Sequence, residues 1–181
     1  GDIITKLRKG TIEKALGTLN EFAGAYVRFN PLDGNGVRNE NVTSFTYALV
    51  ESDAMSIEEQ YAVIQALQLP VACLVYSGGK SLHAIVRVDA ADYSEYQKRV
   101  DYLYEVCQKN GLKIDRQNRN PSRLSRMPGI MRAGKYQELL AVNIGHASWA
   151  EWKDWVEAVN DDLPDIDCLS SVWDDMPELS P

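Results

Sequence analysis

Cysteine is scarce in this chain: Cys73, Cys107 and Cys168 are the three in 181 residues, odd in number and far apart. That excludes a disulfide framework and a zinc site built on closely spaced cysteines. Cys73 within an apolar run and Cys107 on an expected helix face read as buried thiols, which favours a reducing, cytosolic setting. Long apolar runs are missing too. None approaches the ~20 residues of a membrane-spanning helix, so no membrane partner is expected. The N-terminus lacks a signal-peptide pattern, and Gly1 in place of Met suggests a cloning remnant or an excised fragment. Histidine occurs twice, at His83 and His146, with no His-x-His pair. No internal repeat is visible.

Hydrophobic residues at 45% and charged residues at 25% suit one domain, or two small lobes sharing one site. The net charge of −7 is unevenly spread. Residues 1–150 hold 18 Lys and Arg against 16 Asp and Glu, whereas residues 151–181 hold one Lys against 10 acids. The body is therefore slightly basic. Arg116, Arg119, Arg123, Arg126, Arg132 and Lys135 follow one another without an intervening acid, either a phosphate footprint or a solvated basic face.

Ile12, Ala15, Leu16, Leu19 and Phe22 recur at helical spacing and predict an amphipathic helix from Thr11 to Phe22. Ala25–Phe29 reads as a short strand and residues 30–36 as a loop rich in turn formers. Phe45–Val50 is the next strand. Ser56 and Glu59 form a capping box that starts a helix reaching about Leu67. Val71–Tyr76 is almost wholly apolar and so reads as a central strand. Ser77-Gly78-Gly79 turns the chain into a strand over Ser81–Val88. A long helix spans Asp92–Gln108, with Gly111 as its left-handed cap. Leu112-Lys113-Ile114 looks strand-like, and Leu124 and Met127 are expected to anchor an extended Arg123–Arg126. A strand near Glu138–Val142 and a helix over Ser148–Val159 complete the body. Residues 160–181 are acidic and aperiodic and read as a tail or linker. The fold class is α/β or α+β.

Three short constellations carry the chemistry. Strand geometry places residues i and i+2 on one face, so Glu51 and Asp53 would project together, as would Ser81 and His83. Paired carboxylates on one strand face repel, and a divalent cation is the usual remedy. A strand that has merely reached solvent gives the same pair. Gly78-Gly79-Lys80-Ser81 offers backbone access, a cation and a hydroxyl to a phosphate. It is not a P-loop, because the Gly-x-x-x-x-Gly-Lys spacing is absent and a strand follows. A lone strand histidine can equally be a structural residue. Asp115 after Ile114 precedes the arginine-dense stretch, whose guanidinium groups suit carboxylate or phosphate partners.

Taken in order, Glu-x-Asp, Ser-x-His and Ile-Asp resemble the three-motif signature of the archaeo-eukaryotic primase (primase-polymerase) superfamily. The stretch from Asn118 to Gly129, with Pro121-Ser122-Arg123-Leu124-Ser125-Arg126-Met127-Pro128, is similar to the segment after the third motif in members from phages, plasmids and mobile elements. The resemblance covers roughly residues 24–145. It implies a primase-polymerase fold, an α/β lobe joined to an RNA-recognition-motif-like lobe with the site in the cleft between them. The catalytic domain would occupy residues 1–159. Glu51, Asp53 and Asp115 would be metal ligands for two Mg²⁺ or Mn²⁺ ions. Lys80, Ser81 and His83 would bind the nucleotide, with Arg123 and Arg126 on its phosphates. Many members begin the first motif with Asp, where this chain has Glu51.

The activity so implied is template-directed primer synthesis from nucleoside triphosphates on single-stranded DNA, alongside a helicase domain in the same or another chain, in the cytoplasm of a bacterial or phage-infected cell. Arg28, Arg38, Arg116, Arg119, Arg132 and Lys135 are the candidate template contacts. A catalytically silent single-stranded-DNA-binding module of a replication initiator is the alternative. A nicking nuclease ranks below both, for want of paired histidines.

Overall fold

Alternation along one strand organises the molecule, whose computed structural model describes residues 2–159. In β4 (Leu82–Ala90) the side chains of Leu82, Ala84, Val86 and Val88 join the buried core, while His83, Ile85 and Arg87 point to the opposite face. Around β4 lies a five-stranded sheet in the order β2-β4-β3-β7-β6, with β2 Phe45–Val50, β3 Val71–Tyr76, β6 Ile130–Arg132 and β7 Lys135–Ile144. Every pairing is antiparallel. The apolar β3 is the central strand, as its composition implied.

Helices α3 (Ile57–Ala66), α4 (Tyr93–Lys109) and α5 (Trp149–Val159) contribute to the core that covers the first face. Ser56 caps α3 through the expected box: its hydroxyl accepts from the Glu59 N–H at 3.2 Å and Glu59 returns a bond to the Ser56 N–H at 2.8 Å. Asp92 caps α4, and Gly111 takes the left-handed φ of +92° just beyond it. Trp152 is fully buried and its indole N–H donates to the Leu67 carbonyl at 2.9 Å, so the largest core side chain carries no unsatisfied donor.

The second face is met by a two-stranded ribbon, β1 (Tyr26–Arg28) paired with β5 (Leu124–Arg126). Asn30, just after β1, is 2% exposed and ties this layer to the sheet. Its side-chain amide donates to the Tyr47 carbonyl and accepts from the Tyr47 N–H, at 2.8 and 3.0 Å. One asparagine thus imitates a strand along the edge of β2, and its second donor reaches Pro121 at 3.0 Å.

Four expectations fail. The helix begun by Thr11 is only α2, Ile12–Leu16, because Gly17 caps it at φ +78° and the Asn20 side chain then folds a turn by accepting from the Phe22 and Ala23 N–H groups. Phe22 is left 83% exposed. A preceding helix, α1 (Asp2–Lys9), was not foreseen. Leu112–Ile114 is no strand: Leu112 and Ile114 are buried, but their N–H groups bond locally to Cys107 and Leu112. Leu124 does not anchor β5, being 38% exposed; buried Ser125 and Arg126 do. Cys107 is buried as expected, whereas Cys73 is only half-buried, paired in register with the exposed Val142. The tail expectation lies outside the described residues.

Candidate active site

The carboxyl end of β2 delivers Glu51 to the ribbon-facing side of the sheet. Leu49 pairs with Ile85 and Val50 with Ala84, so one further step sets Glu51 opposite His83. There the Glu51 carboxylate is fully engaged. Oε1 accepts from the Ser81 hydroxyl at 2.9 Å and lies 3.2 Å from His83 Nε2, while Oε2 accepts from the Asn118 amide at 3.0 Å. Burial alone pushes the Glu51 carboxyl up. The His83, Ser81 and Asn118 donors outweigh it and hold the pKa below its ordinary 4.5, so the group is ionised at neutral pH.

His83 is 5% exposed and bonded at both nitrogens. Nδ1 accepts the Arg126 backbone N–H at 3.3 Å and lies 3.1 Å from the Ser125 hydroxyl. A backbone amide can only donate. Nδ1 therefore carries the lone pair and Nε2 the proton, which points at Glu51. This imidazole links the sheet to β5.

The loop leading into Ser81 is held from below. Gln60 on α3 donates to the Lys80 carbonyl at 3.0 Å and accepts from the Leu82 N–H at 2.9 Å, bracketing Ser81. The turn itself needs glycine. Gly78 supplies the left-handed φ of +69° that the turn requires, and the Arg132 guanidinium closes over the neighbouring Gly79. That guanidinium donates to the Ser77 carbonyl at 3.1 Å, so a cation lies over the turn.

These groups border a cleft of about 940 Å³ between the sheet and the ribbon. Glu51, Asp53, Ser81 and His83 line its sheet side, Lys80 and Arg132 border the turn, and Tyr26, Arg28, Arg123 and Arg126 come from the ribbon and its approach. Five cations thus face two carboxylates, a setting for a polyanion. Arg126 is fixed most firmly: it is 9% exposed, donates from Nη1 to the Ala23 carbonyl at 3.0 Å and lies over the Tyr26 ring.

Seven of the eight residues assigned to catalysis, metal or nucleotide in the sequence meet in this cleft: Glu51, Asp53, Lys80, Ser81, His83, Arg123 and Arg126. Arg28 and Arg132 join them. Asp115 comes close by backbone only. Its N–H donates to the Glu51 carbonyl at 3.3 Å, but its carboxylate accepts from the Gln117 N–H at 2.9 Å, capping the turn Arg116–Arg119, and is not part of the cleft lining. Carboxylate oxygens at Glu51 and Asp53 are of the hard type a divalent cation takes, but those of Glu51 already accept three bonds and the Asp115 carboxylate is folded into its own turn. Among the described residues no three acidic, histidine or cysteine side chains are gathered as a metal cage. Arg38 faces Glu40 at 4.0 Å, Arg119 pairs with Asp101 of α4 at 2.8 Å, and Arg116 and Lys135 are outside the lining.

Sequence reasoning missed Tyr26, Gln60, Asn118 and Ser125. Asn118 and Ser125 stand within the arginine stretch, where attention to charge hid the neutral donors. Gln60 left no local signal.

No family model matches the sequence, and no curated protein does. Among solved structures, the AEP domain of the primase-polymerase (PrimPol) of cyanophage S-2L is similar, with a TM-score of 0.54 and 23% identity over 72% of this chain and 69% of that one. The chain has a mixed α/β fold of the archaeo-eukaryotic primase-polymerase type.

Proposed function

We propose that this domain is a template-directed nucleotidyltransferase that makes primers in DNA replication. The observation that carries the reading is an ionised, three-donor-bound Glu51 at the sheet side of a cationic cleft, with His83 bridging to the arginine-bearing ribbon. The similar fold of a phage primase-polymerase domain supports it. Lys80, Arg123, Arg126 and Arg132 would neutralise a nucleoside triphosphate. Glu51 and Asp53 would hold Mg²⁺ or Mn²⁺, with Asp115 joining once it releases the Gln117 N–H. Such ions supply activation of a 3′-hydroxyl and stabilisation of departing pyrophosphate. The chain's own share is to orient the triphosphate and match its charge.

The test is incorporation of nucleotides on a single-stranded DNA template with Mg²⁺ or Mn²⁺. Asp53→Ala should abolish incorporation while leaving the fold intact, since Asp53 is exposed and only a cleft-lining carboxylate is lost. Incorporation by Asp53→Ala at the wild-type rate would sink the assignment. The silent DNA-binding module keeps one observation in its favour, the outward turn of the Asp115 carboxylate. Such a module binds single-stranded DNA and shows no metal-dependent nucleotide binding.

A further inference from the structure

We infer that Tyr26 is a stacking platform for a nucleobase, a role that rests on the cleft being a nucleotide site and adds to it the group that reads the flat part of the ligand. The ribbon register places Tyr26 directly across from Arg126, and Arg28 across from Leu124. Alternation puts these four on one face, and all four line the cleft, whereas the intervening Val27 and Ser125 do not. One short ribbon thus presents an aromatic ring and an aliphatic side chain interleaved with two guanidinium groups. That is the composition that receives bases and phosphates together.

The ring is also pre-oriented. The Arg126 guanidinium carbon sits 3.9 Å from the Tyr26 ring centroid, and Arg126 is itself pinned to the Ala23 carbonyl. Tyr26 remains 50% exposed. One surface of the ring is backed by a buried cation while the rest opens to the cleft, so a flat π-system can stack there with little loss of side-chain freedom. Arg126 lines the cleft together with Arg123 and Arg132. The ring therefore borders the cationic wall, and a ligand that is aromatic at one end and polyanionic at the other matches both. The competing role for Tyr26 is to shield and hold Arg126.

The experiment compares binding of ATP, inorganic tripolyphosphate, a single-stranded oligonucleotide and its abasic counterpart to the full chain and to its Tyr26→Leu and Tyr26→Phe variants, with Mn²⁺ present. Leucine should weaken binding of the base-bearing ligands by about fivefold or more, and phenylalanine should keep it. Tripolyphosphate and the abasic strand should bind all three proteins alike. A loss confined to ATP assigns the platform to the incoming nucleotide, and one confined to the oligonucleotide assigns it to a template base. Equal losses for ATP and tripolyphosphate overturn the inference in favour of support for Arg126, and no loss for either base-bearing ligand overturns it outright. Should the leucine variant not fold, 2-aminopurine riboside triphosphate bound to the wild-type protein decides: stacking quenches its fluorescence, and an unquenched bound base refutes the platform. If wild-type protein binds neither ATP nor tripolyphosphate, the nucleotide reading of the cleft fails first.

Discussion

Glu51 holds its charge in a half-buried place only because two separate parts of the chain send it three donors. Ser81 and His83 come from the start of β4, and Asn118 from the turn after Asp115. Asn118 is fully buried, so Asn118→Ala leaves Glu51 Oε2 without its partner and should cost about 1–3 kcal/mol, read from urea denaturation. An unchanged midpoint would show that water replaces the amide freely. The direction of the Glu51 shift also fixes a pH dependence. A carboxyl whose folded pKa is depressed contributes stability above its unfolded pKa and loses it as pH falls through the folded one. The wild-type protein should therefore lose this contribution on acidification below about pH 4.5, the ordinary value, and Glu51→Gln should lack that component of the acid transition. Superimposable acid profiles of the two proteins would contradict it.

Helix α3 and the turn before β4 act as one unit. Gln60 is 1% exposed and its amide meets the Met55 and Lys80 carbonyls and the Leu82 N–H. Replacing it by leucine keeps the volume and strands those backbone groups, at a cost of about 1–3 kcal/mol for each that water cannot reach. Because the bonds bracket Ser81, Gln60→Leu should also weaken triphosphate binding, and loss of stability with wild-type affinity would separate the two roles. The arginine-bearing segment divides similarly. Arg119 is held by Asp101 on α4, whereas Arg123 faces the cleft. Arg123→Ala should weaken triphosphate binding and lower the slope of log affinity against log salt. Arg119→Ala should leave that slope unchanged and alter stability by less than about 1 kcal/mol, as for exposed ion pairs. The reverse ranking in a salt titration would place the phosphate contact on the α4 side.

Over the whole molecule, charge is partitioned between the body and residues 160–181, which carry seven acids and no Lys or Arg. The core and the cleft described above are both built by residues within 2–159. Removing residues 160–181 should preserve the melting temperature and nucleotide incorporation. Binding of single-stranded DNA should stay equal or tighten, most visibly at low salt, where repulsion between like charges is least screened. Unfolding of the shortened chain would mean that these residues pack on the body.

Strand alternation made much of the site legible before any coordinates. It puts Glu51, one step past β2, on the face of Leu49 and opposite His83, because successive strand side chains point to opposite faces, whereas Asp53 lies in the bend beyond β2 where alternation no longer applies. The Ser56–Glu59 box and Gly111 are equally local, each satisfying orphan backbone groups within one helical turn. Gly17 was no less visible, yet the apolar spacing of Leu19 and Phe22 masked it, since periodicity carries no information about where the chain stops being helical. Partnership lay beyond any local rule. That Glu51 bonds Asn118, that His83 meets Ser125 and Arg126, that Gln60 brackets Ser81 and that Arg119 turns to Asp101 are contacts between residues 18 to 67 positions apart. No spacing in the chain encodes such distances, because they arise only when sheet, ribbon and helices close around one core. The same closure turned the Asp115 carboxylate into its own turn and left Tyr26 facing the cleft, so residue types and faces belong to the chain, and the choice of partners belongs to the fold.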